Sequence, residues 1–144
     1  MKIYVDGSYH KKYKLSSFGY VFLDDDNTII EKGNGLIEDK KMNEMRNVAG
    51  EIMSVILVMK ICEEKNIKNI DIYYDYKGIE MWATNTKTAW KCNNIYTNSY
   101  RKKMLEYYEK GFSITFHKVK SHTNDKYNDL ADSLAKSAFK KVIS

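Results

Sequence analysis

Proline is absent from the 144-residue sequence, and only two cysteines and three histidines occur. Without proline, breaks between elements must be read from Gly, Asn, Asp and Ser. Cys62 and Cys92 lack metal-ligand spacing and cannot build a disulfide framework, which points to a reducing compartment, the cytoplasm. No apolar run is long enough to span a bilayer, so no membrane partner is expected. The N-terminus reads MKIYVDGSYH, and its carboxylate at position 6 excludes a signal-peptide core. Repeats, low-complexity tracts and linkers are also missing. The length fits a single domain over residues 1–144, and 43% hydrophobic with 30% charged residues is a globular balance rather than a disordered one.

What the chain has is a mild basic excess, +5 at pH 7, which excludes no partner by itself. Its distribution is more telling. Cations gather at Lys11, Lys12 and Lys14, at Lys87 and Lys91, at Arg101 to Lys103, and at Lys118, Lys120 and Lys126. Aromatics and amides are interleaved with several of these, as on surfaces that track phosphates, although a solvated lysine-rich surface would look the same.

The apolar periodicity orders the chain as β-β-β-α-β-α-α-β-α. Strands are expected at 2–8, 18–24 and 28–36, with a turn at Asp25-Asp26-Asn27, as an antiparallel meander. Val48, Ile52, Val55, Met59 and Cys62 then recur at helical spacing to about Lys65, with Asn47 as the expected N-cap. Alternation returns at 69–75. A short helix near 77–83, a polar stretch at 84–97, a helix near 98–110, a strand at 112–119 and a helix from about Asp125 complete the chain. The helical crossovers imply a mixed sheet covered by helices, with a ligand crevice at the C-terminal ends of strands one and four if these lie parallel.

Four acidic residues fall at that edge. Asp6 ends the first strand, Glu51 lies one turn into the first helix, Asp75 ends the fourth strand, and Asp132 lies on the last helix. Singly, each has an ordinary explanation as a turn, helix or strand-end residue. Together they repel unless a cation bridges them, and an all-oxygen set suits Mg²⁺ or Mn²⁺ rather than zinc.

The segments VDGSY (5–9), RNVAGE (46–51), IYYD (72–75), KVKSH (118–122) and NDLADSLA (128–135) resemble type 1 ribonuclease H in the right order and over nearly the whole chain. The resemblance implies an α/β ribonuclease H-like fold, a five-stranded mixed sheet of order 3-2-1-4-5 flanked by helices. It also implies a metal-dependent endoribonuclease that hydrolyses the RNA strand of RNA/DNA hybrids, leaving a 5′-phosphate and a 3′-hydroxyl. Asp6, Glu51, Asp75 and Asp132 would hold two Mg²⁺, with Mn²⁺ able to substitute and Asp6 bridging both ions. One ion would activate the attacking water and the other would stabilise the leaving oxygen. His122 would assist proton transfer or product release from a loop. On the last helix, Asp129 points outward with Lys136 and Asp125 reads as a cap, which leaves Asp132; Asp71 sits at the wrong end of its strand to replace Asp75.

The same resemblance assigns Gly7, Ser8, Glu51 and Asn47 to reading the 2′-hydroxyl, the group that separates RNA from DNA. Arg46 would contact phosphate. Trp82 reads as core, and Trp90, among Lys87, Lys91 and Asn93, either packs on the sugar or phosphate of the DNA strand or has a purely structural role. The chain departs from its relatives in having Asn47-Val48 where two amides are common. It also lacks a basic insertion, since the 84–97 stretch holds only Lys87 and Lys91, and weak, salt-sensitive binding by a monomer is the expectation. The competing readings are a same-fold nuclease acting on another nucleic acid and a catalytically silent hybrid-binding module.

Overall fold

The computed structural model describes residues 1–84, 86–120 and 125–143. Alternation along β1 (Lys2–His10) sends Ile3 and Val5 to one face of a sheet and Tyr4 and Asp6 to the other. β1 pairs antiparallel with β2 (Leu15–Leu23), and β2 with β3 (Ile29–Leu36). β4 (Asn69–Tyr74) runs parallel to β1 on its other side, and β5 (Ser113–Lys118) runs parallel to β4. The sheet order is β3-β2-β1-β4-β5, the expected mixed sheet.

Each face has its own core. On one side, α1 (Asn47–Glu64) buries Ile52, Val55, Val58, Met59 and Cys62 completely. They pack with Ile3, Val5, Ile70, Ile72 and Tyr74 of the sheet. The short α2 (Gly78–Met81) and α3 (Ile95–Glu109) complete that layer with Ile79, Tyr100 and Met104. On the other side, α4 (Lys126–Ser137) lays Ala131 and Ala135 on β1 and β2, with Tyr4, Val21 and Leu23 beneath. α5 (Lys140–Ile143) follows as a single turn. Among the described residues no helix is long and apolar enough to cross a membrane.

Two close approaches fix the helices. A Cβ on Gly50 of α1 would strike the Ser17 carbonyl oxygen and come 2.7 Å from the Gly7 Cα. A Cβ on Gly19 of β2 would meet the Ala131 carbonyl oxygen and come 2.7 Å from the Ala135 nitrogen of α4. Both helices therefore lie almost on the strand backbones, from opposite faces, and carry Glu51 and Asp132 in toward β1.

Several boundaries differ from expectation. The β1–β2 hairpin extends to His10 and Leu15, so Asp6 sits within its strand rather than at its end. Pairing with β4 stops at Tyr4–Tyr73, however, two residues short of Asp6 and Asp75. α3 begins at Ile95, not 98, because Asn94 and Thr97 form a reciprocal capping box inside the stretch read as polar loop. Asn47 is not the N-cap of α1. Arg46 holds that position with φ 57° and without a side-chain cap, and the buried Asn43 amide fixes the preceding turn by bonding Ser16, Ile37 and Asp39 backbone groups.

Candidate active site

Asp6, Tyr4 and Tyr73 share one face of the sheet, and Asp75 follows Tyr73 at the same parity just beyond β4. Asp6 therefore faces α4, where the i, i+4 periodicity that buries Ala131 and Ala135 leaves Asp132 on the flank, half-exposed. Asp125 caps α4 through the Tyr127 and Asn128 amides, and Asp129 is exposed, so Asp132 is the acidic residue of this helix that reaches the sheet edge. Asp71 is engaged elsewhere, 2.8 Å from His117.

Glu51 comes in from the opposite layer. It is only 4% exposed, and its oxygens accept from the Asp75 nitrogen at 3.0 Å and the Tyr76 nitrogen at 3.1 Å. Through these bonds α1 holds the end of β4. Asp6, Gly7, Ser8, Tyr9, Arg46, Asn47, Val48, Glu51, Asp75, Tyr76, Asp132 and Lys136 line one cleft of about 570 Å³.

The electrostatics are those of crowded carboxylates. Burial is the main cause that raises Asp6 to about 7, and close approach by Asp132 and the charge of Asp75 add to it; the Gly7 amide opposes the rise. Burial likewise raises Glu51 to about 8, with Asp6 and Asp75 adding repulsion against the two amide bonds. Lys136 offsets part of this charge, its ammonium 2.9 Å from Asp132 Oδ2.

This donor set fits a hard divalent cation. All four carboxylates line the same cleft, no nitrogen or sulfur ligand intrudes among its lining residues, and mutual repulsion would be relieved by positive charge. Among the described residues, no three acidic, histidine or cysteine groups are drawn together as a preformed ligand cluster. Glu51 is turned to backbone amides and Asp132 to Lys136, which accounts for the open arrangement.

Of the residues expected at the site, Asp6, Gly7, Ser8, Arg46, Asn47, Glu51, Asp75 and Asp132 line the cleft. His122 lies outside the described residues. Trp90 is not in the lining; it packs at 6.0 Å on the buried Trp82 and at 6.2 Å on Tyr76, which itself lines the cleft. The Arg101–Lys103 cluster is in part structural, since Arg101 donates to the Trp82 and Thr84 carbonyls at 3.0 and 2.8 Å. Sequence reasoning missed Lys136, Tyr9 and Tyr76 as cleft residues. Lys136 carried a usable signal, because it stands four residues after Asp132 on one helix.

Comparison with known proteins adds an independent line. The profile of a family described as RNase H matches residues 1–140. A ribonuclease H from Ruthia magnifica subsp. Calyptogena magnifica is 31% identical over 119 residues, 78% of this chain and 77% of that protein. Among solved structures, RNase H1 from the halophilic archaeon Halobacterium salinarum NRC-1 superposes with a TM-score of 0.73 at 21% identity, covering 97% of both chains. LC11-RNase H1, solved in complex with an RNA/DNA hybrid, gives 0.76 at 16% identity over 99% of both. At these identities the structural likeness is one of fold.

Proposed function

The chain belongs to the ribonuclease H family, and from that premise we propose that it is an endoribonuclease that hydrolyses the RNA strand of RNA/DNA hybrids, leaving 5′-phosphate and 3′-hydroxyl ends. The observation that carries this reading is the convergence of Asp6, Glu51, Asp75 and Asp132, from the middle of β1, the end of β4 and two helices in opposite layers, on one cleft that also presents Gly7, Ser8 and Asn47. The hybrid bound by LC11-RNase H1, which shares the fold, supports the substrate class.

Asp6, Glu51, Asp75 and Asp132 would hold two Mg²⁺ ions, or Mn²⁺ in their place. Bound there, such ions supply an activated water and charge stabilisation at the leaving oxygen. The protein's own contributions follow from the geometry. Asp6 and Asp132 are close enough to compete for one proton, so the free site is charge-frustrated and ready to accept cations. Glu51, anchored by the Asp75 and Tyr76 amides, keeps the cleft floor fixed relative to β4. Gly7, Ser8 and Asn47 lie beside Glu51, where backbone and amide groups can read a 2′-hydroxyl. Arg46, exposed at the rim, offers a phosphate contact. His122 is proposed to move a proton or assist product release. Trp90, if it meets the DNA strand, does so beyond Tyr76. In this reading the chain works as a single catalytic domain, a monomer in the cytoplasm.

The test is cleavage of a labelled RNA strand paired with DNA, paired with RNA, and alone, each with Mg²⁺, Mn²⁺ or chelator. Metal-dependent cutting of the hybrid only is the expected result. Binding without cutting by folded protein would make the chain a silent hybrid-binding module, and cutting of other substrates would move it to another branch of the fold.

A further inference from the structure

Beside the catalytic cleft lies a second cavity of about 500 Å³ that the chemistry above does not use. Leu15, Leu36, Ile37 and Val142 supply its apolar lining, together with Tyr9 and Tyr13. Tyr9 lines both cavities, and the Arg46 guanidinium lies 5.5 Å from its ring centroid, so the two spaces meet at this stacked pair. Tyr13 is 39% exposed at the hairpin tip, with the Lys12 ammonium 5.6 Å from its ring.

The charged lining is balanced, with Lys14 and Lys40 against Glu38 and Glu44. Two further cations stand beside the tyrosines, Arg46 over Tyr9 and Lys12 over Tyr13, and give the rim a positive surplus. An apolar lining with Tyr13 exposed and Tyr9 half-buried suits flat bases, and the extra cations beside the two rings suit the phosphates between them. A protein segment would not need that surplus. A paired duplex has no free base faces to offer the tyrosines.

We propose that this groove is a subsite for a single-stranded polynucleotide, an unpaired extension of the substrate that leaves the catalytic cleft over Tyr9 and Arg46 and stacks on Tyr9 and Tyr13. The inference rests on the ribonuclease reading for its orientation and deepens it, since it makes hybrids with an unpaired tail the preferred substrate class. Tails of RNA and of DNA present the same stacking and phosphate chemistry, and the experiment separates them.

The test measures binding by fluorescence anisotropy, in chelator, for a blunt hybrid and for hybrids bearing a six-nucleotide RNA or DNA tail at each end in turn. One tail geometry should tighten Kd by about ten-fold, in the range of one well-stacked base. Tyr13→Ala and Lys40→Gln, both outside the catalytic cleft, should remove most of that gain and leave blunt-hybrid binding and cleavage unchanged. A 4-thiouridine or 4-thiothymidine placed in the tail should cross-link to the peptide containing Tyr13. Equal affinity for blunt and tailed hybrids, with the blunt hybrid still bound and cut, would overturn the groove and spare the ribonuclease reading. Failure to bind or cut any hybrid would strike the ribonuclease reading, and the groove would then stand only if a free oligonucleotide cross-links at Tyr13. Concentration-dependent self-association abolished by Tyr13→Ala, with no gain from a tail, would assign the groove to a second copy of the chain and overturn the proposal.

Discussion

The Lys136 ammonium lies 2.9 Å from Asp132 Oδ2, one turn along α4, and the same Asp132 crowds Asp6 of β1. An internal cation thus balances a carboxylate that the proposed chemistry assigns to a divalent ion. The two roles compete. Lys136→Gln should tighten Mg²⁺ binding several-fold by calorimetry. The loss of a largely exposed i, i+4 pair should change stability by no more than about 0.5 kcal/mol. Unchanged or weaker Mg²⁺ affinity would mean that the ammonium assists the metal site rather than competing with it.

Removal of single carboxylates separates the site from the fold. Asp6→Asn and Asp75→Asn should lower hybrid cleavage by at least about a thousand-fold, because charge compensation at the reacting phosphate is lost. Circular dichroism and melting temperature should change little. Near-normal turnover in either variant would remove that residue from the site. His122→Ala should slow turnover without abolishing it, and complete loss would give it a more central role.

The raised carboxyls also set a pH dependence. Asp6 moves from 3.8 to about 7 and Glu51 from 4.5 to about 8. A carboxyl whose pKa is higher in the folded state favours folding while it is protonated. That contribution is complete below the unfolded values and is lost as pH rises through the folded ones. In chelator, urea denaturation should therefore show stability falling between about pH 5 and pH 8. Asp6→Asn should flatten the slope, and millimolar Mg²⁺ should raise stability most at the alkaline end. A metal-free protein equally stable across that window, or one whose melting temperature ignores Mg²⁺, would contradict the crowded-carboxylate account.

Much of this site was legible in the sequence because it depends on periodicity. Alternation in 2–8 and 69–75 placed Asp6 and Asp75 on one face, and the helical repeat after Asn47 placed Glu51 near them, as observed. What periodicity does not encode is where a strand stops pairing. Asp6 is usable because β1 and β4 part after Tyr4 and Tyr73, although β1 continues to His10. Side-chain partners were equally hidden. Arg101 belongs to a run of surface cations in the sequence and is tied to carbonyls, while Asn94 falls in the polar stretch and caps a helix. The second groove depends on the hairpin tip, the 36–44 connection and Val142 meeting in space, which no local pattern announces.

Gly50 gives a prediction in which local and tertiary physics oppose each other. In an isolated helix, Gly→Ala would stabilise by about 1 kcal/mol. Here the added methyl would meet the Ser17 carbonyl oxygen and the Gly7 Cα, both backbone, so neither can move aside without shifting a strand. Gly50→Ala should instead destabilise by about 1–3 kcal/mol, as overpacking does. Because Glu51 is the next residue, lifting α1 from β1 should also draw its carboxylate from the Asp75 and Tyr76 amides and lower cleavage. Denaturant melts and hybrid-cleavage rates on the same variant check both halves. A stabilised, fully active Gly50→Ala protein would show that the close contact of α1 with β1 and β2 does not set the position of Glu51.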